Sequence, residues 1–468
     1  MDSNTENILG KNKISMLLLK FSIPAIIALI TTAIYNIADQ IFIGHSVGFL
    51  GNAATNITFP IISICTSIIL LTGIGTSACF SIALGENNIQ KAKEIIGNGL
   101  FLNIFFSISF TILLLLNLHN ILLIFGATKD ILPYAMTYTK ITALGIPFLI
   151  FFSAITFWVR ADGSPKFAMG ITLTGAITNI ILDPIFIFGL DLGMAGAALA
   201  TIIGQFLSAC LALFYLMKKF KSFKITLASF ISPKLNIIRH IFLLGMSQSA
   251  NQLGLMLVQI TMNNVLTYYG SRSIYGAEIP LACVGIILKI NILFLYIIIG
   301  ISQGAQPILG YNIGSKQYDR VIKTIKLALK CDSVVSITAF ILFQTFPREI
   351  ISIFGTGTEE YFLFAEKFFR IFMFFTFANF IQIFAGNFFS AIGRGKIGLF
   401  IAITRQFLFL LPSIIFLPMI FGIEGVFFSA PIADILALSI TMYFLRREYA
   451  KIKKLEIEQK KGLIWKFI

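Results

Sequence analysis

The sequence is poor in charged residues, histidine and cysteine. Only 12% of its 468 residues are charged, three are His and five are Cys, whereas 57% are hydrophobic and the mean hydropathy is +0.89. A soluble domain does not need so much apolar surface, so that class is excluded. The histidines are scattered and the cysteines have no metal-type spacing, so we expect no metal cluster of these residues and expect the cysteines to be reduced packing residues.

Long apolar runs dominate what is present. The first 13 residues are polar, and the apolar run after them is too long for a cleaved signal peptide. Runs of this length also exclude an outer-membrane barrel, whose strands have about 10 residues. Since about 20 apolar residues span a bilayer, we predict an all-α integral membrane protein with twelve transmembrane helices. They lie near 15–43, 54–84, 93–117, 131–160, 166–190, 193–217, 236–268, 280–309, 320–345, 360–391, 396–420 and 423–446.

The net charge of +15 would suggest a nucleic-acid partner in a soluble protein, but here it has another explanation. Lys and Arg concentrate in alternate loops, including that of Arg160 and Lys166, as membrane orientation requires. We therefore predict no nucleic acid, and a multi-pass protein of the inner (plasma) membrane with both termini cytoplasmic. The basic end of the chain, Arg446 to Ile468, is predicted to be a structural helix extension on the inner surface.

An internal repeat organises the chain. At an offset of 229 residues, glycines and basic residues recur in matching pairs: Gly75 with Gly304, Gly85 with Gly314, Lys91 with Arg320, and Gly126 with Gly355. Six helices per repeat keep both halves in one orientation, so the pseudo-two-fold axis runs along the membrane normal. The predicted domains are an N-lobe (1–217), a cytoplasmic linker (218–235), a C-lobe (236–446) and a C-terminal tail (447–468). Two such bundles around a cleft are typical of alternating-access transporters.

A carboxylate in the first predicted span points to ion handling. Asp39 lies in an apolar helix, where inserting a charge costs roughly 2.5–3.5 kcal/mol. Asn179 and Asp183 share one face of the fifth span, and Thr201 and Gln205 share one face of the sixth. We expect Asp39, Asn179, Asp183 and Thr201 to converge on a small hydrated pocket. Their oxygens suit Na+ as ligands, and two close carboxylates would equally hold one proton.

The second half does not repeat this pocket. Its first helix instead carries Gln248, Gln252, Gln259 and Asn263 within a stripe of about 60°, interleaved with methionines such as Met256. Amides and methionines make a deformable wall suited to varied ligands. Alternatively, the amides only join neighbouring helices by hydrogen bonds. With Tyr35, Asn36, Gln205 and Arg405, these residues form the predicted substrate cavity. Lys289, Arg405 and Asp434 are charged residues at membrane depth. Asp434 is predicted either to neutralise one of the two cations or to form a second coupling site.

The sequence resembles the multidrug and toxic compound extrusion transporters over essentially its whole length. The resemblance rests on Asn36 to Gly44, Asn179 to Phe186, Gly193 to Thr201, Gly304 to Gly314 and Arg405-Gln406, together with the parallel repeat. It is strongest to the bacterial DinF-like and MepA-like branch, whose ion site lies in the N-lobe and maps onto the same four residues. The resemblance implies an antiporter that exports bulky, often cationic and aromatic drugs in exchange for inward H+ or Na+, with no other cofactor.

The partners expected are small-molecule drugs or toxic organic cations and the lipid bilayer, with the protein a monomer. The resemblance leaves H+ and Na+ as alternatives. A flippase for a lipid-linked saccharide shares the fold type but would need a strongly basic cavity, for which Arg405 is the chief candidate. An intramembrane enzyme would need a catalytic constellation that the isolated histidines do not supply. An ion channel would not explain the parallel repeat.

Overall fold

The computed structural model describes residues 8–224, 233–353 and 357–467, with side chains as far as residue 462. The predicted repeat position Gly355 and residues 225–232 of the predicted linker lie outside the described residues. All regular structure within them is helical. The helices are α1 Ile8–Lys11, α2 Ile14–Ser46, α3 Phe49–Gly85, α4 Ile89–Ile124, α5 Leu132–Ala161, α6 Pro165–Pro184, α7 Gly193–Phe214, α8 Leu235–Gly270, α9 Glu278–Gly314, α10 Tyr318–Thr345, α11 Pro347–Ser352, α12 Glu359–Lys367, α13 Thr376–Ala391, α14 Gly395–Ile403, α15 Leu411–Phe421 and α16 Glu424–Phe467.

Twelve of these helical segments cross the bilayer. Ten are individually long and apolar enough, and α12 with α13 makes an eleventh that is bent. The twelfth is α10, whose 28 residues extend about 42 Å at 1.5 Å per residue. The prediction of an all-α, twelve-span protein is confirmed. Several spans are much longer than 20 residues, such as α3 and α9 with 37 each, and continue into the loops beyond the bilayer.

The tenth predicted span, 360–391, is broken, although the sequence predicted one helix. A π-helical turn at Phe368–Phe372 follows α12, and α13 then departs at 53°. Carbonyl groups lose their ordinary helical partners at such a break, and a polar side chain repairs part of the loss. Gln344 Nε2 donates to the carbonyls of Phe369 and Arg370, at 3.3 and 3.2 Å. The break therefore persists without a proline because α10 supplies the missing donor.

Each half of the chain has its own apolar core. In the N-lobe, α3, α4 and α5 surround Phe80 and Trp158, both fully buried. In the C-lobe, Phe343, Phe368 and Phe427 belong to a second cluster, and a third lies between α9, α10 and α13. Apolar packing also crosses between the lobes: Leu18 of α2 belongs to the third cluster, and Phe21 of α2 packs with Ile308 of α9 in a fourth.

The lobes meet closely on one half of the molecule. We call the side formed by loops 86–88, 162–164, 315–317 and 392–394 the basic face. Gly85 and Gly314 lie next to it and are related by the repeat, and a Cβ on either would overlap the backbone of the helix across the interface. Deeper in the membrane, Ser67 Oγ and Ser249 Oγ are 2.6 Å apart across the same interface. This contact zone runs from the basic face to mid-depth.

Arg160 lies in this contact zone, whereas the sequence placed it among the loop cations. It is 8% exposed and occupies the last turn of α5. Its Nη1 donates to Gln303 Oε1 of α9 at 2.7 Å, and its guanidinium stacks on Phe157 with 4.5 Å to the ring centroid. A hydrogen bond to a charged donor contributes about 1.5–3 kcal/mol. Arg160 thus helps hold the two lobes together.

The last described residues, as far as Phe467, belong to α16. This helix has 44 residues, so the predicted helical extension is present and continuous with the last span. Glu448 is 5% exposed and accepts ion pairs from Arg394 and Lys451, each at 3.4 Å. Ile452 is buried in the third apolar cluster. These contacts attach the start of the extension to the C-lobe.

Candidate functional site

The predicted ion pocket is assembled from three helices of the N-lobe. α2 carries Asp39, α6 carries Asn179 and Asp183, and α7 carries Thr201; α6 packs against both of the others. Asn179 Nδ2 donates to Asp183 Oδ1 at 3.1 Å and to Thr201 Oγ1 at 3.2 Å. The i, i+4 spacing of Asn179 and Asp183 creates the first contact, and the crossing of α6 and α7 creates the second.

The two carboxylates of the pocket lack cationic partners among the described residues. Asp183 is fully buried and Asp39 is 9% exposed. They lie within electrostatic reach of each other. Asp39 Oδ1, Asp183 Oδ2 and Asn179 Oδ1 are buried and accept no hydrogen bond within the described ranges. Buried oxygens of this kind cost free energy unless a cation or a proton occupies them. The arrangement can therefore bind one small cation, with hard oxygen ligands suited to Na+ or with a carboxylate that takes up H+.

Two tyrosines complete the pocket, and one of them was missed by sequence reasoning. Tyr138 of α5 is buried and lies close to Thr201, within electrostatic reach of both carboxylates. Tyr35 of α2 is partly buried and also lies within reach of Asp39 and Asp183. Tyr138 has no acidic or amide residue at helical spacing that would mark its face as functional. Only the packing of α5 on α7 brings it to the pocket.

Pro184 changes the backbone at the end of α6. Proline lacks the N–H that would continue the helical ladder. The α-helix ends there and a π-helical turn, Ile185–Gly189, carries the chain toward the face opposite the basic one. This change in hydrogen bonding therefore lies one residue beyond Asp183 of the pocket.

The predicted substrate-cavity residues fall into different environments. Asn36, Gln259 and Asn263 are exposed on the half of the molecule opposite the contact zone. Tyr35, Gln252 and Met256 are partly buried. Gln205 and Gln248 are also partly buried and lie against glycines of neighbouring helices, Gly145 and Gly386. The amide stripe therefore extends along α8 from the contact zone to the exposed half, and does not close into one compact pocket.

Arg405 and Asp434 form an ion pair inside the C-lobe. Arg405 Nε donates to Asp434 Oδ1 at 2.9 Å, and the side chains are 21% and 3% exposed. The amide of Asn379 on α13 lies near the same carboxylate. Arg405 lies in a π-helical turn, Thr404–Leu410, which joins α14 to α15. Of the two roles predicted for Asp434, this geometry fits the first, in which the carboxylate neutralises a nearby cation. Lys289, the other candidate cation, is exposed.

Removing one member of this pair should destabilise the C-lobe. We expect Asp434→Ala to lower the free energy of unfolding by about 3 kcal/mol, the lower part of the range for breaking a buried pair, because Arg405 keeps some exposure. Thermal unfolding in detergent measures this. The double variant Arg405→Met with Asp434→Leu should recover most of the loss, since it leaves no unpaired charge. An unchanged melting temperature for Asp434→Ala, with ion-driven transport lost, would instead indicate a second coupling site.

Comparison with known proteins agrees with the two-lobe geometry. The MatE family profile matches the chain twice, at residues 24–185 and 253–415. The chain belongs to the MatE family. The two matches begin 229 residues apart and end 230 apart, which is the offset of the glycine repeat. The parallel internal repeat is thereby confirmed, and the protein is a multi-pass membrane transporter and not an enzyme.

Several relatives cover nearly the whole chain. It is 27% identical over 441 residues to the multidrug export protein MepA of Staphylococcus aureus (strain MRSA252), covering 93% of this chain and 95% of that protein. It is 26% identical to MepA of Staphylococcus saprophyticus, covering 92% and 93%. Among solved structures, a MOP superfamily transporter from Pyrococcus furiosus has a TM-score of 0.88 at 21% identity, covering 97% of this chain and all of that one. An outward-facing multidrug resistance MATE transporter gives the same values. These structures establish the fold.

Proposed function

We propose that this MatE-family protein is a multidrug efflux antiporter, which exports bulky, often cationic and aromatic compounds in exchange for inward H+ or Na+. The observation that carries the proposal is the N-lobe pocket, where Asp39 and Asp183 are buried without a cationic partner among the described residues. Multidrug export is the activity named for the MepA relatives, which match over nearly their full length.

The coupling ion binds at Asp39 and Asp183, with Asn179 and Thr201 as further oxygen ligands if that ion is Na+. Either ion neutralises the charge of the pocket. Neutralisation lets α2 rearrange around Pro24, which narrows the N-lobe wall of the cleft and favours drug release. Drug and ion therefore favour different states, with a coupling free energy on the order of 1–3 kcal/mol.

Transport proceeds by alternating access of the two lobes. The basic face is cytoplasmic by its loop charges, and the lobes touch on that half. The described arrangement is therefore the outward-facing state of a transporter in the inner (plasma) membrane, with both termini cytoplasmic. Asn36, Gln259 and Asn263 then line the open half of the cleft. The protein acts as a monomer, since each copy contains both lobes.

Dye efflux from reconstituted vesicles tests this function. Proteoliposomes are loaded with a fluorescent organic cation, and a pH gradient and a Na+ gradient are imposed separately. We expect one gradient to accelerate efflux and the other to leave it at the rate without a gradient, which identifies the coupling ion. Efflux that follows neither gradient would contradict antiport. Cysteine labelling of Lys166→Cys from each side of the membrane checks the orientation independently.

A flippase for a lipid-linked saccharide is less well supported. Such a transporter needs free cations in its cavity to bind a pyrophosphate. Arg405, the chief candidate from the sequence, is held by Asp434 at 2.9 Å. Its charge is largely compensated and its guanidinium is oriented within the C-lobe.

A further inference from the structure

Six acidic side chains are buried among the described residues: Asp39, Asp162, Asp183, Asp332, Asp434 and Glu448. Three of them have strong partners. Asp162 accepts from Tyr215 and from the start of the linker, Asp434 pairs with Arg405, and Glu448 pairs with two cations. Asp39 and Asp183 form the ion pocket. Asp332 is the sixth, and the proposed function does not use it.

Asp332 lies in the middle of α10, beside the α9 segment that contacts Arg160. It is about 21 Å from Tyr318, the first residue of the helix, at 1.5 Å per residue. It is fully buried, and neither carboxylate oxygen has a hydrogen bond of ordinary geometry within the described ranges. The hydroxyl of Ser302 on α9 approaches it. Ser336, one turn further along α10, is also fully buried with an unpartnered hydroxyl. These three side chains form a small polar pocket, which we call the Asp332 pocket.

No charged group of the described structure neutralises this carboxyl. α10 packs against α2, α9, α11, α13, α16 and the π-helical turn Phe368–Phe372, and burial and Ser302 are the influences on Asp332. Its neighbours along the chain, Lys330 and Cys331, contribute no ion pair to it. The charged residues inside the spans packed on α10 are Lys20, Asp39, Lys289 and Asp434, while α13 carries none. The other charged residues lie toward the ends of these elements: Glu278, Arg348, Glu349, Arg370, Glu424 and those from Arg446 to Lys461, where Lys460 lies near Asp319 at the start of α10. Lys20 and Lys289 are exposed, Asp434 is held by Arg405, and Asp39 lies in the N-lobe pocket.

The internal repeat gives Asp332 an equivalent residue in the N-lobe, and that residue is uncharged. Asn103 is the residue 229 positions before Asp332, and Ser107 likewise precedes Ser336. Asn103 is also fully buried, and its Nδ2 donates to the Ile150 carbonyl at 3.2 Å and to Thr72 Oγ1 at 3.4 Å. The equivalent N-lobe site therefore holds a neutral side chain that donates hydrogen bonds. A protonated carboxyl can donate in the same way, whereas an ionised one can only accept.

We propose that Asp332 is a second proton-binding site of the transporter, in the C-lobe. It holds one proton while the lobes are closed at the basic face, and loses it when they separate. The group that links the site to the interface is the α9 segment next to Ser302. Gln303 accepts the hydrogen bond from Arg160, and Gly304 lies against Ser22 of α2. When this segment leaves the N-lobe, water reaches the carboxyl, the O–H bond breaks, and the proton passes to water at the basic face.

A proton is the ligand that fits this pocket best. Asp332, Ser302 and Ser336 offer few oxygens, and each is at most 1% exposed, so a hydrated metal ion has no room. A proton needs only one carboxylate oxygen. The inference rests on the proposed alternating access, and it predicts that the closed basic face is favoured at low pH and opens as pH rises. This sign follows because the open state binds fewer protons.

Distance measurements between the lobes test the proposal. Spin labels are placed at Lys166→Cys and Lys396→Cys, which are exposed on the basic face of the two lobes. The background is a variant in which the five native cysteines have been replaced. Asp39→Asn and Asp183→Asn are included to silence the N-lobe pocket. We expect the ratio of open to closed molecules still to rise with pH, by up to tenfold per pH unit for one released proton. Adding Asp332→Asn should leave the closed form dominant at every pH.

Asp319→Asn is the matched control, because Asp319 is an exposed acid on the same helix; it should preserve the pH response. A pH response that survives Asp332→Asn unchanged would overturn the proposal. Infrared spectroscopy gives a second readout, since the closed wild-type protein should show a carbonyl band of a neutral carboxylic acid that Asp332→Asn removes. This band does not depend on drug transport, so its absence would contradict the Asp332 site alone. Failure of ion-driven dye efflux would contradict the proposed function alone.

Discussion

Asp39→Asn is expected to abolish ion-driven drug export while leaving the protein folded. The amide keeps the size and polarity of the side chain but carries no charge, so the N-lobe pocket can no longer alternate between charged and neutralised states. A coupling free energy on the order of 1–3 kcal/mol corresponds to about a 5–150-fold effect on affinity. The rate of dye efflux under an imposed ion gradient should therefore fall to that of liposomes without protein. Drug binding in the absence of a gradient should persist.

Asp191→Asn provides the control for this variant. Asp191 is an exposed acid in the loop after α6, with φ of +52°, a conformation that Asn adopts readily. It removes the same charge from the same lobe outside the pocket, and gradient-driven efflux should remain at the wild-type rate. If Asp39→Asn also exported dye at that rate, Asp39 would not be the coupling residue.

Gly85→Ala is expected to open the interface at the basic face. A Cβ at residue 85 would overlap the carbonyl oxygen of Tyr311 and the amide of Ser315, which are backbone atoms of the other lobe. Backbone cannot rotate out of the way as a side chain can, so the lobes must move apart. Overpacking of this kind costs about 1–3 kcal/mol in the closed state. The ratio of open to closed molecules should rise by about 5–150-fold, at 1.4 kcal/mol for each factor of ten.

Cysteine alkylation measures this opening. Ser81 is 1% exposed and lies against Gly310 across the interface, so a Ser81→Cys reporter reacts only when the lobes separate. Gly85→Ala should accelerate its alkylation from the basic face, and Gly314→Ala should do the same because the repeat relates the two positions. Gly170→Ala is the control, since open space surrounds residue 170. Equal alkylation rates in all three variants would show that the glycine contact does not hold the lobes closed.

The N-lobe pocket could be predicted from the sequence because its members follow helical spacing. Asn179 and Asp183 are four residues apart, so any regular helix places them on one face. Asp39 was conspicuous because a carboxylate in an apolar span needs a reason. Tyr138 could not be predicted in the same way. It reaches Thr201 through the packing of α5 on α7, and that packing depends on side chains far apart in the chain.

The C-lobe was harder to predict because local irregularities decide its geometry. The break after Phe372 occurs at a run of aromatic residues with no proline, and it depends on Gln344 from another helix. The sequence pattern did not mark Asp332, which lies two residues after Lys330 on a helix with several charged residues in its first half. The tertiary packing removes it from water.

By itself the sequence determined the membrane class, the twelve spans, the parallel repeat and the four polar residues that meet in the N-lobe. Each follows from hydropathy, from periodicity or from self-similarity, and all of these are properties of a linear chain. The tertiary structure decided which face is closed, that Arg160 leaves the loop to contact Gln303, and that Arg405 and Asp434 neutralise each other. It also separated Asp332 from every countercharge among the described residues. These features depend on distances between helices that sequence spacing does not encode.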